Sequence, residues 1–262
     1  MISSTIAIGG IGIGIRTTSP DFRSLVERRY AGFIDPEAEA DCEFEVLLTP
    51  SEAQTGDEDA SVSRSGSVWR IARGDFLAEW DPGARRGTIR QSANPFSLDS
   101  VLRIVHTLVL AGEGGFLVHA ASAVRDGRAY VFAGASGAGK TTIARCAPPD
   151  VEVLTDEISY VRRSPDGYVA YGTPFAGELA RSGPNVHAPL AAVYLLAKGP
   201  CNAIEEVGAG QCTRELLSNI LFFAQDRELV QSVFVAAVAL VESVPVRRLT
   251  FRPDARVWDL IA

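Results

Sequence analysis

Five isoleucines, Ile6, Ile8, Ile11, Ile13 and Ile15, nearly alternate with small residues at the start of the chain. A period close to two predicts a twisted strand with a bulge at Gly9-Gly10. Gly10, Gly12 and Gly14 make G-x-G-x-G rather than a dinucleotide fingerprint, and no helical pattern follows them, so no nucleotide site is expected there. Ser19-Pro20-Asp21 reads as a helix start, with Phe22, Leu25, Val26 and Tyr30 as the apolar stripe. Cys42 to Leu48 reads as a strand. From Ser51 to Gly66 the chain has almost no apolar content and reads as a solvated loop. Val68 to Ala72, Phe76 to Trp80 and Thr88 to Gln91 are short segments separated by Arg73-Gly74-Asp75 and Asp81-Pro82-Gly83, turn chemistry suited to an antiparallel meander.

Helical spacing then takes over. Phe96, Leu98, Val101, Leu102, Val105, Leu108 and Val109 predict a buried helix between Pro95 and Gly112, with His106 inside its stripe as a structural residue. Gly115 to Val124 and Arg128 to Ala133 are strands around the turn Arg125-Asp126-Gly127. A short helix follows, ended by Pro148-Pro149, then a strand from Val151 to Leu154 and a hairpin of Ile158 to Arg162 with Tyr168 to Tyr171. Gly172 to Pro189 is a Gly/Pro-rich loop holding Arg181 and His187, for which a lid or acceptor-binding role is one reading. Leu190 to Leu196 is an apolar strand, Thr213 to Phe223 and Asp226 to Val241 are helices, Val246 to Phe251 is the last strand, and Pro253 to Ile261 a terminal helix. The pattern divides the chain into a small α+β unit, residues 1–94, and a larger α/β domain, residues 95–262.

Composition narrows the function classes. The chain has 262 residues, is 47% hydrophobic and carries a net charge of −7. Without a Lys/Arg-rich run, that balance argues against nucleic acid or an anionic membrane as the main partner. Cys42, Cys146, Cys201 and Cys212 show neither zinc-ligand spacing nor a disulfide framework. No basic leader and no long apolar run is present, so a soluble, cytoplasmic protein is expected.

The chemistry concentrates at Ala129 to Cys146, AYVFAGASGAGKTTIARC. Gly134, Gly139, Lys140 and Thr141 have the spacing G-x-x-x-x-G-K-[ST] between a strand and a helix, which is a phosphate-binding loop. Gly134, Ala135, Ser136, Gly137, Ala138, Gly139, Lys140, Thr141 and Thr142 are its candidate nucleotide-binding residues. Glycines let backbone N–H groups curl around an anion. Lys140 then reaches the β/γ-phosphates, and Thr141 offers its hydroxyl to magnesium. A right-handed return from the following helix would place Val151 to Leu154 parallel to Ala129 to Ala133 and bring Asp156 and Glu157 to the phosphates. No N-K-x-D or LSGGQ motif points to a GTPase or a transporter ATPase.

LVHAASAV at Leu117 to Val124, GASGAGKTT at Gly134 to Thr142 and VLTDEI at Val153 to Ile158 together resemble the HPr kinase/phosphorylase family and its relatives with a phosphoenolpyruvate-carboxykinase-like core. Glu157 stands where that family has Asp, and Thr141 where it usually has Ser. The family's downstream glycine-rich signature is not found after the acidic pair, so the resemblance is to the kinase core. It implies a P-loop kinase domain of the HPr-kinase C-terminal type, with a mixed sheet, behind the smaller N-terminal unit. It also implies ATP and Mg²⁺ as cofactors and transfer of the γ-phosphoryl group to a hydroxyl, on a Ser/Thr of a protein or peptide. His119, Asp156 and Lys140 would be catalytic, with Asp156 as base, and Thr141, Glu157 and Asp156 would serve the metal; the reverse assignment of the two acids stays open. A small-molecule acceptor, or a nucleotide-binding regulatory module without transferase activity, is the alternative. Hexamers in the resembled family suggest self-assembly.

Overall fold

The structure is a computed structural model and describes residues 1–50 and 59–261. It is an α/β protein with two mixed sheets, and the chain divides into two units. One comprises Met1–Leu108 and Phe222–Val230, the other Val109–Leu221 and Gln231–Ala262. The first unit therefore runs past Pro95 into the long helix and takes back a short segment from late in the chain.

In the first unit, β1 (Ile2–Ile8) and β2 (Ile11–Thr17) form a hairpin in register Ile8 with Ile11. This corrects the expected bulged strand. Gly9 and Gly10 have φ of 62° and 77°, and two successive positive-φ residues make a tight turn whose twist matches antiparallel strands. Helix α1 (Pro20–Arg29) is capped by Ser19, whose Oγ accepts from the Phe22 N–H, and buries Phe22 and Val26. Strand β3 (Cys42–Leu48) lies parallel to β2. Of the expected loop, residues 51–58 lie outside the described residues, whereas β4 (Ser61–Ser65) is a strand. It sits at the end of the sheet and exposes its serines, so it shows no apolar alternation. The meander follows as β5 (Val68–Arg73), β6 (Phe76–Asp81) and β7 (Arg86–Gln91), giving the order β1-β2-β3-β7-β6-β5-β4. Helix α2 (Pro95–Gly112) buries most of its expected stripe, with Leu98, Val101, Leu102 and Val105 fully buried, but Phe96 in its first turn is 65% exposed, because a residue at the start of a helix has only one turn of neighbours to cover it. Its Asp99 receives the Tyr30 hydroxyl and pairs with Arg29 at 2.6 Å.

The second unit is built on two strands that each serve more than one ladder. Strand β8 (Phe116–Arg125) pairs with β9 (Arg128–Ala133) through its second half. On its other edge it meets β10 (Glu152–Thr155) and β11 (Ile158–Ser164), both antiparallel to it. Between β9 and β10 lies α3 (Lys140–Arg145). Strand β12 (Gly167–Tyr171) returns from β11 as a hairpin and leads to β13 (His187–Lys198), which is parallel to β9. The path β8-β11-β12-β13-β9 thus closes on itself. Beyond β13 the sheet extends through β15 (Val246–Phe251) and β14 (Ala203–Glu206).

Strand β10 does run in the same sense as β9, as expected, but β8 separates them. Helix α4 (Ala209–Leu217) starts before Thr213 and stops six residues short of the expected Phe223, and α5 (Arg227–Ser243) follows a non-helical stretch. The expected terminal helix is a 3₁₀ segment, Ala255–Leu260, that buries Val257 and Trp258. Tyr130, Phe132, Tyr194, Phe251 and Trp258 share one core cluster. No described helix is long and apolar enough to cross a membrane.

Candidate functional site

The glycine loop leaves the end of β9 and turns into α3 within the second unit. A side chain at Gly139 would place its Cβ 2.7 Å from the Phe251 ring, and its φ of 111° is open essentially to glycine alone. The crest at Ala135, Ser136 and Gly137 is exposed; Gly134 is buried. Helix α3 is only six residues long. It is anchored by buried Ile143, whose carbonyl accepts from the Trp258 indole N–H at 3.2 Å. Thr141 and Thr142 lie half-buried in its first turn.

Lys140 folds back over the loop. Its Nζ donates to the Gly134 carbonyl at 2.8 Å and to that of Ala135 at 3.2 Å, and the residue is only 7% exposed. Burial lowers its pKa, opposed by the carboxylates of Glu157 and Glu178. An ammonium short of water and ringed by carbonyl dipoles gains from a nearby anion.

The acidic pair occupies the gap between β10 and β11. Thr155 Oγ1 accepts from the N–H groups of both Glu157 and Ile158, at 3.2 and 3.3 Å, and so shapes the turn that sets the two acids side by side. Sheet register relates this turn to the loop. Ala133, the last residue of β9, faces Ala120 on β8, and the Ala120 N–H donates to the Glu157 carbonyl at 3.1 Å. Two strand spacings, about 10 Å, therefore separate the start of the glycine loop from Glu157.

His119 precedes Ala120 on β8. Its Nε2 lies 3.5 Å from Glu157 Oε1, and both side chains are about one-third exposed, at 39% and 33%. Its backbone N–H donates to the Asn219 carbonyl at 2.7 Å. Asp156 is 3% exposed, and its Oδ2 accepts from the Leu179 N–H at 3.0 Å. The structure thus brings together Lys140, His119, Asp156 and Glu157 but sets the acids apart in environment. Glu157 is half-open beside His119, and Asp156 is sealed. Among the described residues no group of three or more His, Cys, Asp or Glu forms a metal cage.

The sealing segment escaped sequence reasoning. A Cβ at Gly177 would fall 2.9 Å from each Asp156 carboxylate oxygen and 2.8 Å from the Glu157 Cβ, so residues 177–179 lie directly on the acids. Glu178 in this segment acts on Lys140 and lies 3.9 Å from Arg145. The only signal was a glycine next to an acid in a stretch without periodicity. His187 is not in that loop: it opens β13 opposite Tyr171 and stacks on its ring at 5.1 Å. Arg181 is exposed. His106 is fully buried in the α2 stripe, as expected.

A family model described as SynChlorMet cassette protein ScmC matches residues 88–262, most of the chain and every residue of this site. The chain belongs to that family. No curated protein matches it significantly.

Proposed function

We propose that the protein is an ATP-dependent kinase core of the HPr-kinase-like type, which moves the γ-phosphoryl group to a hydroxyl, on a Ser/Thr of a protein or peptide. The observation that carries this reading is Lys140: a buried ammonium whose Nζ is folded onto the carbonyls of Gly134 and Ala135 at the foot of a glycine turn. Phosphoryl transfer asks a protein to position reactants and neutralise charge, and in this reading Lys140, Glu157 and the loop supply both.

The loop from Gly134 to Thr142 binds the phosphates, and Lys140 orients them. A hydroxyl and a carboxylate are oxygen donors of the kind magnesium takes, since it binds through one or two carboxylates plus substrate phosphates rather than an all-protein cage. Thr141 and Glu157 would hold it, and when bound it neutralises charge on the phosphates. His119 holds Glu157 in place. Asp156 takes the hydroxyl proton as the acceptor oxygen bonds to the γ-phosphorus and ADP leaves. The Leu179 amide occupies one lone pair of its carboxylate and leaves capacity for that proton.

A nucleotide-binding regulator without transfer is the second reading, favoured by the 3% exposure of Asp156. Labelled ATP, cell extract and mass spectrometry separate the two. A phosphate on a Ser/Thr side chain, absent with Lys140→Ala, is the expected result. Tight ATP binding with no transferred label on any acceptor leaves the regulator.

A further inference from the structure

Residues 174–182 leave the sheet and rejoin it at one place. The Gly183 N–H donates to the Thr173 carbonyl at 3.0 Å, and the Gly172 N–H to that of Val186 at 2.9 Å, so the excursion is pinned at its base. Pro174 and Phe175 are buried, but no residue in 176–182 is; Leu179 is half-buried against the core cluster. The Ala180 N–H donates to the Gly177 carbonyl at 3.0 Å, and Ala180 has a φ of 53°, a left-handed conformation that a side chain disfavours. Two polar contacts tie the piece down. The Leu179 N–H reaches Asp156 at 3.0 Å, and Glu178 lies 3.9 Å from Arg145, both of these side chains being largely exposed. Little burial and a strained residue mark a segment that opens readily.

Closed, this segment is incompatible with the proposed reaction, because no acceptor hydroxyl can reach Asp156 while residues 177–179 cover it. Charge supplies a means of opening. The Glu178 carboxylate acts on Lys140, the cation that the phosphates would take, and opposes the lowering of its pKa. A triphosphate at Lys140 places several negative charges where that of Glu178 is already felt, and the two repel. We propose that residues 176–182 form an autoinhibitory strap, shut over Asp156 in the free protein and displaced when a nucleoside triphosphate at Lys140 repels Glu178; this rests on the kinase reading above. Nucleotide binding and closure of the strap then oppose each other, and by linkage each weakens the other by the same factor. The base is uncovered only when there is a phosphoryl group to transfer.

Hydrogen exchange of the full chain, with and without Mg²⁺ and the slowly hydrolysed analogue AMP-PNP, reads the strap at the Leu179 amide. Saturating analogue should speed exchange across residues 176–182 by about fivefold or more. Glu178→Gln should remove most of that response and tighten mant-ATP binding by about threefold at low salt, less at high salt, since an exposed charge is screened. Gly177→Ala is the independent variant. Its Cβ would lie 2.9 Å from each Asp156 carboxylate oxygen, so the strap should exchange fast without nucleotide and mant-ATP should again bind more tightly. Circular dichroism of both variants should match the parent. Unchanged or slower exchange with the analogue bound overturns the strap and leaves the nucleotide site standing. Equal responses in the parent and Glu178→Gln overturn the repulsion on which it depends. The kinase reading fails separately: a strap that opens on nucleotide while no acceptor is ever phosphorylated stands without it, whereas a chain that binds no nucleotide loses both.

Discussion

Two glycine turns in this chain start from similar sequence and end as different objects. At Gly9-Gly10 the positive-φ residues are adjacent, and the chain doubles straight back from β1 into β2. Between Gly134 and Gly139 they are Gly137 and Gly139, separated by Ala138, and the chain curls and enters α3 instead. Adjacent positive-φ residues reverse a strand with its hydrogen bonds intact, whereas spaced ones leave backbone N–H groups unspent at a helix start. The second turn also has a cation folded over it, Lys140, and a buried aromatic, Phe251, against Gly139. Glycine content alone does not separate a hairpin turn from a strand-to-helix turn.

The sharpest way to break this contrast is Lys140→Ala. Removing the cation should lower phosphoryl transfer by about 10³-fold, on the scale of losing one electrostatic donor at a reacting oxyanion. Circular dichroism should be unchanged. Near-parental transfer by the variant would reduce the loop to a structural turn.

Next comes Asp156→Asn. As base it should cost about 10²–10³-fold in turnover with nucleotide affinity nearly unchanged. Matched losses in turnover and affinity would move Asp156 to the metal, as the open assignment of the two acids allows.

Alanine at each turn then compares them directly. Gly139→Ala should destabilise the fold by about 1–3 kcal/mol, through a strained φ and the Phe251 contact, and weaken mant-ATP binding as well. Gly10→Ala should cost about 1–2 kcal/mol and leave nucleotide binding untouched. Denaturation midpoints and a nucleotide titration on both variants decide it; equal effects on nucleotide binding would erase the distinction.

The last comparison, confined to acid pH, concerns the two histidines, His119 half-open in the site and His106 sealed in α2. Burial pushes the His106 pKa down from its ordinary 6.5 to about 3. The unfolded chain therefore takes up a proton between pH 6.5 and 3 that the folded chain refuses, so stability falls as pH drops through that window. His106→Gln should flatten the decline, read as denaturation midpoints across that range. An unchanged slope would place the acid sensitivity elsewhere.

Much of the fold was legible because its signals are local. The α2 stripe, the β5–β7 meander and the Arg125-Asp126-Gly127 turn were each carried by spacing or turn chemistry within a few residues. Strand β4 was not legible, because a strand at the end of a sheet with exposed serines has no apolar alternation to display. Nor was the first hairpin, since a bulge and a two-residue turn share the same glycines and differ only in what the chain pairs with next.

For the site, the amino-acid order by itself determined the strand, glycine loop, Lys-Thr and helix start, because those parts are contiguous and their chemistry is short-range. It also placed the acidic pair at a strand end. Only the tertiary structure decided that β8 runs between that strand and the loop, carrying His119 to Glu157. It alone decided that residues 177–179 seal Asp156 while Glu157 stays half-open. Which strands become neighbours, and which loop covers which carboxylate, depends on burial summed over segments far apart in the chain, and no local pattern records that sum.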